Sequence, residues 1–216
     1  QRFSIESLSG DGSDVVRQVQ VTGRYTLDEP VLETELYALA DIQARCVQCV
    51  NGDTHQQRAA DLGLRLGPHF HWIDEVHVHE AEWLAHLREP LPDERTGYLL
   101  YPGFIDACFQ TMLSSFSESL SVLEIPLSIE AMTYDLTLGR PEWVYGVRRE
   151  TGVDLVVLDQ QGRVLVRFQR FVTRAVPEAT LRHMLSSERT IQSWRYTRYW
   201  QKQPLPTEAA PSTALK

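Results

Sequence analysis

Cysteine is scarce in this chain: Cys46, Cys49 and Cys108 are the three in 216 residues. So low and odd a count excludes a disulfide-stapled fold and points to a reducing, cytoplasmic setting. Cys46 and Cys49 form a single C-x-x-C, without the second pair that a structural zinc would need, so ordinary packing is expected of them. Basic charge is short as well. With 21 Lys and Arg against 29 Asp and Glu, the net charge is -8. That leaves no basic stripe for nucleic acid and little attraction to an anionic membrane. No apolar run approaches the roughly 18 residues of a membrane helix, and no signal-peptide pattern opens the chain. Ser114, Ser115, Ser117, Ser119 and Ser121 lack a G-x-S-x-G elbow, which argues against a serine nucleophile. Gly10-Asp11-Gly12 opens no helix, so it is a turn and not a phosphate loop.

What is present suits one domain with tails. The hydrophobic fraction is 43%, enough for a sizeable core. Residues 2–8 and 15–27 alternate around Gly10-Asp11-Gly12 and predict an antiparallel hairpin. Leu36, Leu39, Ala40 and Ile42 predict a helix over 33–49, broken by Asn51-Gly52-Asp53. A short second helix over 56–62 ends at Gly63. A loop over 64–70 follows, then mostly strand over 72–87 and a proline-rich loop over 90–96. Pro102 stands where a first helical residue belongs, and predicts a helix to about 117. Strands are expected over 125–134, 143–149, 153–158 and 163–174, the last two joined by the turn Asp159-Gln160-Gln161-Gly162. Residues 178–188 read as helix, 194–205 as a strand of a following domain, and 207–216 as a linker. The fold class is therefore α+β, an antiparallel sheet wrapped around one central helix, which is the hot-dog architecture.

The helix from Pro102 carries the most informative polar pair. Phe104, Cys108 and Met112 step by four, and Ile105, Phe109 and Leu113 extend the apolar surface nearly all round, so burial is expected. Asp106 and Gln110 lie four apart on one stripe of it. A carboxylate buried there costs several kcal/mol unless paired, hydrogen-bonded or protonated, and burial makes it a usable acid near neutral pH. The amide one turn on can hold that carboxyl or bond a substrate oxygen. From spacing alone, a purely structural pair and a functional one are equally open.

These residues also carry a resemblance. Tyr101-Pro102-Gly103-Phe104-Ile105-Asp106-Ala107-Cys108-Phe109-Gln110 resembles the H-P-x-x-x-D-x-x-x-Q segment of polyketide synthase dehydratase domains. Leu62 through Phe70 resembles their G-x-x-[YL]-G-P-x-F segment, and leucine at position 66 resembles domains of trans-acyltransferase assembly lines. Glu124-Ile125-Pro126-Leu127 and Asp159-Gln160-Gln161-Gly162 resemble two later segments, and Trp194 to Leu205 resembles the entry to a structural ketoreductase subdomain. The resemblance implies one and a part of a double hot-dog. Residues 1–32 would end a first half, 33–63 form a helical connection, 64–192 make the C-terminal half, and 193–216 lead to the next domain. It implies a lyase-type enzyme acting on the α and β carbons of a thioester carried by an acyl carrier protein, beside ketosynthase and ketoreductase neighbours. A homodimer through the parent synthase is a further expectation. Asp106 would protonate the leaving β-hydroxyl and Gln110 would orient it. No cofactor or metal is needed, since the chemistry is proton transfer and the substrate arrives on a phosphopantetheine arm.

The family's basic histidine lies in an H-x-x-x-G-x-x-x-x-P segment with no counterpart here, and Tyr101 replaces the histidine before the proline. The base is thus expected from a segment not in this chain. Otherwise the domain performs Michael-type addition with chain branching, cyclisation or double-bond migration, or is a non-catalytic docking domain. Gly67, Pro68, His69, His71, Tyr101 and Pro102 are the expected substrate-side residues, His69 or His71 being a possible replacement base. His77 and His79 share a strand face near Glu75 and Glu80; a solvated face opposite Val76 and Val78 is expected in place of a metal site.

Overall fold

The computed structural model describes residues 1–9, 16–26, 36–95, 97–98, 100–115 and 123–177. The expectations for 178–188, 194–205 and 207–216 lie outside them. Strands β1 (Arg2–Ser9) and β2 (Val16–Arg24) form the expected hairpin as a separate two-stranded sheet. Ile5 stands opposite Val21, and both stay exposed.

Among the described residues the main sheet has seven strands: β3 (Gln48–Asn51), β4 (Ile73–His79), β5 (Glu82–Leu87), β6 (Leu123–Tyr134), β7 (Trp143–Arg148), β8 (Val153–Leu158) and β9 (Val164–Val176). Their order is β3-β4-β5-β7-β8-β9-β6, every neighbour antiparallel. Helix α3 (Pro102–Gln110) lies against the inner face. Its Phe104, Ala107 and Cys108 pack on Val76, Trp83, Val144, Leu155 and Phe168. Gly146 is a glycine because the Trp83 indole crosses it; a Cβ there would lie 2.2 Å from the ring.

The outer face is covered too. Helix α1 (Leu39–Arg45) sets Ile42 and Cys46 on Leu84, while Tyr37 and Leu39 cover Val156, Leu158 and Val164. That two-sided burial explains why β8 reads as an almost unbroken apolar run.

Four elements differ from the sequence reading. The helix expected over 33–49 runs only over Leu39–Arg45, among described residues, because Cys46 buries its side chain and closes the last turn on Ile42 O. Gln48–Asn51 is strand instead, since Val50 gains a buried place opposite Val76. Asn51 does not break a helix but starts one. Its side chain accepts from Thr54 N at 2.8 Å, so α2 spans Gly52–Asp61. Finally, α3 ends at Gln110 and Thr111 turns the chain into the short α4 (Met112–Ser115). There the Thr111 hydroxyl donates to Cys108 O at 2.8 Å and accepts from Trp83 Nε1 at 2.9 Å. No helix of the described residues is long and apolar enough to cross a membrane.

Candidate functional site

Asp106 and Gln110 meet as their spacing on α3 demands. Gln110 Nε2 donates to Asp106 Oδ2 at 2.6 Å and to Phe70 O at 3.3 Å. A carbonyl can only accept, so the amide nitrogen must face Phe70 and Asp106. Asp106 is half-buried, not enclosed as the apolar surround of α3 suggested. Both residues line a cavity of about 130 Å³ whose walls include Leu66, Phe109, Ile125 and Phe171. Gln110 also borders a second cavity of about 330 Å³, shared with Gln56, Arg65 and His71.

The loop that supplies Phe70 O is pressed onto the start of α3. A Cβ on Gly103 would lie 2.1 Å from His69 O, so only glycine admits the loop there. Pro102 begins the helix and is exposed; Gly67 and Pro68 shape the loop from the solvent side. Tyr101 packs on Trp72 and Tyr98, with ring centroids 5.9 and 5.4 Å away.

The two loop histidines part company. His71 borders the second cavity, and its Nε2 donates to Leu66 O at 3.0 Å. His69 turns to a carboxylate instead: its Nδ1 is 3.2 Å from Glu94 Oε1, within hydrogen-bond distance. Arg88 forks the Glu94 carboxylate at 2.8 and 2.9 Å, and Leu91 N adds a third donor. Led by Arg88, these donors hold the Glu94 carboxyl down at about 2.

Sequence reasoning passed over His55. It lies on the buried stripe of α2 with Gly52 and Ala59, and is 1% exposed. Nδ1 is 2.7 Å from Ser114 Oγ, while Nε2 makes no hydrogen bond among the described residues. Burial pushes the imidazole down to about 4, Arg58 adds to that, and the Gln110 amide alongside works the other way. The ring is therefore neutral near pH 7, packed between Ser114 and the residue that holds Asp106. A signal was available: His55 stands one turn before Ala59 on the inward side of the helix.

An antiparallel sheet folded about one buried helix is a hot-dog domain. A family model described as the polyketide synthase dehydratase N-terminal domain matches residues 36–183, and the chain belongs to the polyketide synthase dehydratase family. The dehydratase domain of the CurF module of curacin polyketide synthase is similar at TM-score 0.69 and 20% identity, over 81% of this chain and 64% of that one. A trans-AT polyketide synthase dehydratase domain from Brevibacillus brevis is similar at 0.68 and 21%, over 81% and 64%. So are two variants of CurK dehydratase described as inactive, one with an aspartate changed to asparagine and one with a histidine changed to phenylalanine. They match at 0.65 and 0.66 and 19% identity, over 83% of this chain and 64% of theirs. At these identities the likeness speaks for the fold. The chain spans just under two thirds of the length of these solved dehydratases.

Proposed function

We propose that this chain supplies the acid side of a dehydratase-like site acting at the α and β carbons of a thioester on an acyl carrier protein. Residues 64–192 serve as the C-terminal hot-dog half, and residues 1–32 end a first half. Asp106 protonates the leaving β-hydroxyl. Gln110 orients the Asp106 carboxyl, and His71 and the loop over Gly67, Pro68 and His69 border the approach. Elimination needs a base at Cα as well as an acid at the β-oxygen, and one carboxyl cannot act as both in a single step. The base comes from a segment outside this chain, as the inactive histidine variant of CurK supports by analogy. The thioester arrives on a phosphopantetheine arm with no other cofactor, and ketosynthase and ketoreductase domains are neighbours in a cytoplasmic, dimeric synthase.

The observation that carries this reading is the 2.6 Å bond between Gln110 Nε2 and Asp106 Oδ2 at the wall of an apolar cavity. The test uses the parent synthase module, offered carrier-bound β-hydroxyacyl thioester. The unmutated module is expected to form the enoyl thioester, and Asp106→Asn to lose about 10²-fold or more in rate with unchanged circular dichroism. Equal rates would remove Asp106 from the chemistry.

A further inference from the structure

The outer face of the sheet carries a donor cluster that the Asp106 site does not use. Edge strand β3 pairs with β4 so that Cys49 stands opposite His77 and Asn51 opposite Glu75. Strand alternation sends Val50, Val76 and Val78 inward, so Cys49, Glu75 and His77 project together on the other side. Glu75 Oε1 is 2.9 Å from His77 Nε2, and Glu75 Oε2 is 3.8 Å from Cys49 Sγ. One ligand atom from each residue lies within 4.8 Å of the other two. A tetrahedral ion with metal–ligand bonds of about 2.0 to 2.3 Å holds its donors about 3.3 to 3.8 Å apart, so small side-chain rotations suffice.

We propose that Cys49, Glu75 and His77 bind a divalent cation of the zinc class, with water completing the coordination. A mixed sulfur, nitrogen and oxygen set selects such an ion over magnesium or calcium, which take oxygen ligands. The other use of a thiol beside an imidazole, as a nucleophile, fits poorly. His77 is bonded to Glu75, and burial and the Glu75 carboxylate both favour the neutral thiol of Cys49. A dication reverses that second effect, because it sits between thiolate and carboxylate and neutralises both. Cys46 takes no part, being buried under α1 against Ile42 and Leu84. The partner of Cys49 is therefore across the ladder, not three residues away. Between Cys49 and Glu75 in the chain lie α2 and the 64–70 loop, which provide His55, Leu66 and Phe70. An ion at this site clips the ends of the segment that builds one wall of the Asp106 cavity.

The test uses the untagged 216-residue chain, stripped with a chelator and titrated with Co²⁺ and then Zn²⁺. One Co²⁺ per chain is expected, with a thiolate-to-metal charge-transfer absorption that Zn²⁺ displaces. Cys49→Ser is expected to abolish that absorption, and both Cys49→Ser and His77→Ala to weaken Zn²⁺ binding at least about tenfold, since loss of a group that merely hydrogen-bonds a metal ligand already costs that much. No absorption, or absorption that persists in Cys49→Ser, overturns the proposal. Alkylation of Cys49 in the unmutated chain gives a readout free of any folding defect: Zn²⁺ slows it if the site exists, and an unchanged rate overturns the site.

Discussion

The pH dependence of folding should carry the signature of His55. The perturbation is His55→Gln, a side chain that stays neutral and can still meet Ser114. In the folded chain the imidazole is held at about 4, against about 6.5 for an exposed histidine. Above pH 6.5 the ring is neutral whether the chain is folded or not, so it contributes no pH dependence. Below 6.5 the unfolded chain takes up a proton that the folded chain refuses. Stability then falls by about 1.4 kcal/mol per pH unit until the folded ring protonates near pH 4. The interval is about two and a half units, so the total loss is about 3 kcal/mol. Urea unfolding followed by fluorescence of the buried Trp72 and Trp83 would measure it. Carboxylates contribute to both proteins alike, so the difference between wild type and variant isolates the imidazole. That difference should be constant above about pH 6.5 and should shift in favour of the variant by about 1.4 kcal/mol per unit below it. Parallel curves across this range would show that His55 protonates freely in the folded chain, and would refute the reasoning.

Two further outcomes test the loop that faces α3. Gly103→Ala places a methyl 2.1 Å from His69 O, a backbone atom that cannot swing aside, and should cost about 1–3 kcal/mol; a lower urea midpoint checks it, and an unchanged one means that the loop is not pressed on the helix. Glu94→Gln breaks the Arg88 fork and should cost about 1–3 kcal/mol, less than a fully buried pair because the Arg88 side chain is 21% exposed. The Glu94 carboxyl is depressed to about 2, so its contribution is complete above about pH 4.5 and is lost as pH falls toward 2. Wild type and Glu94→Gln should therefore converge in stability over that interval, and a gap that persists below it would contradict the pairing.

The elements that were legible in the sequence are those whose signals are local. Pro102 marks the first turn of α3, and Asp159 through Gly162 closes the β8–β9 hairpin, each by the chemistry of a few adjacent residues. The pair Asp106 and Gln110 was legible for the same reason, because four-residue spacing on a helix fixes proximity. What stayed hidden depends on distant partners. Gln48–Asn51 has no strand pattern of its own and becomes one by satisfying the edge of β4. His69 and His71 are alike in sequence, yet the tight turn over Pro68–Phe70 sends one toward Glu94 and the other toward the Gln110 cavity. His55 sits on a helix of modest apolar content, where its spacing from Ala59 is a weak signal and its partner Ser114 lies 59 residues away.

Gln110 constrains more than the position of Asp106. Its nitrogen faces two acceptors, Phe70 O and Asp106 Oδ2. Phe70 O is a carbonyl and cannot donate, so the amide cannot flip without setting two oxygens against each other. Oδ2 is thereby fixed as an acceptor and cannot carry a proton along that bond. A proton delivered by Asp106, in the chemistry proposed above, then leaves from a lone-pair position that the Gln110 amide does not occupy. The His55 imidazole lies alongside the Gln110 side chain. Nδ1 of the neutral ring meets Ser114 Oγ at 2.7 Å, and Nε2 makes no hydrogen bond among the described residues. Protonation would place an N–H on both ring nitrogens and a charge in a buried site, turning the Ser114 hydroxyl into an acceptor, and burial disfavours that state.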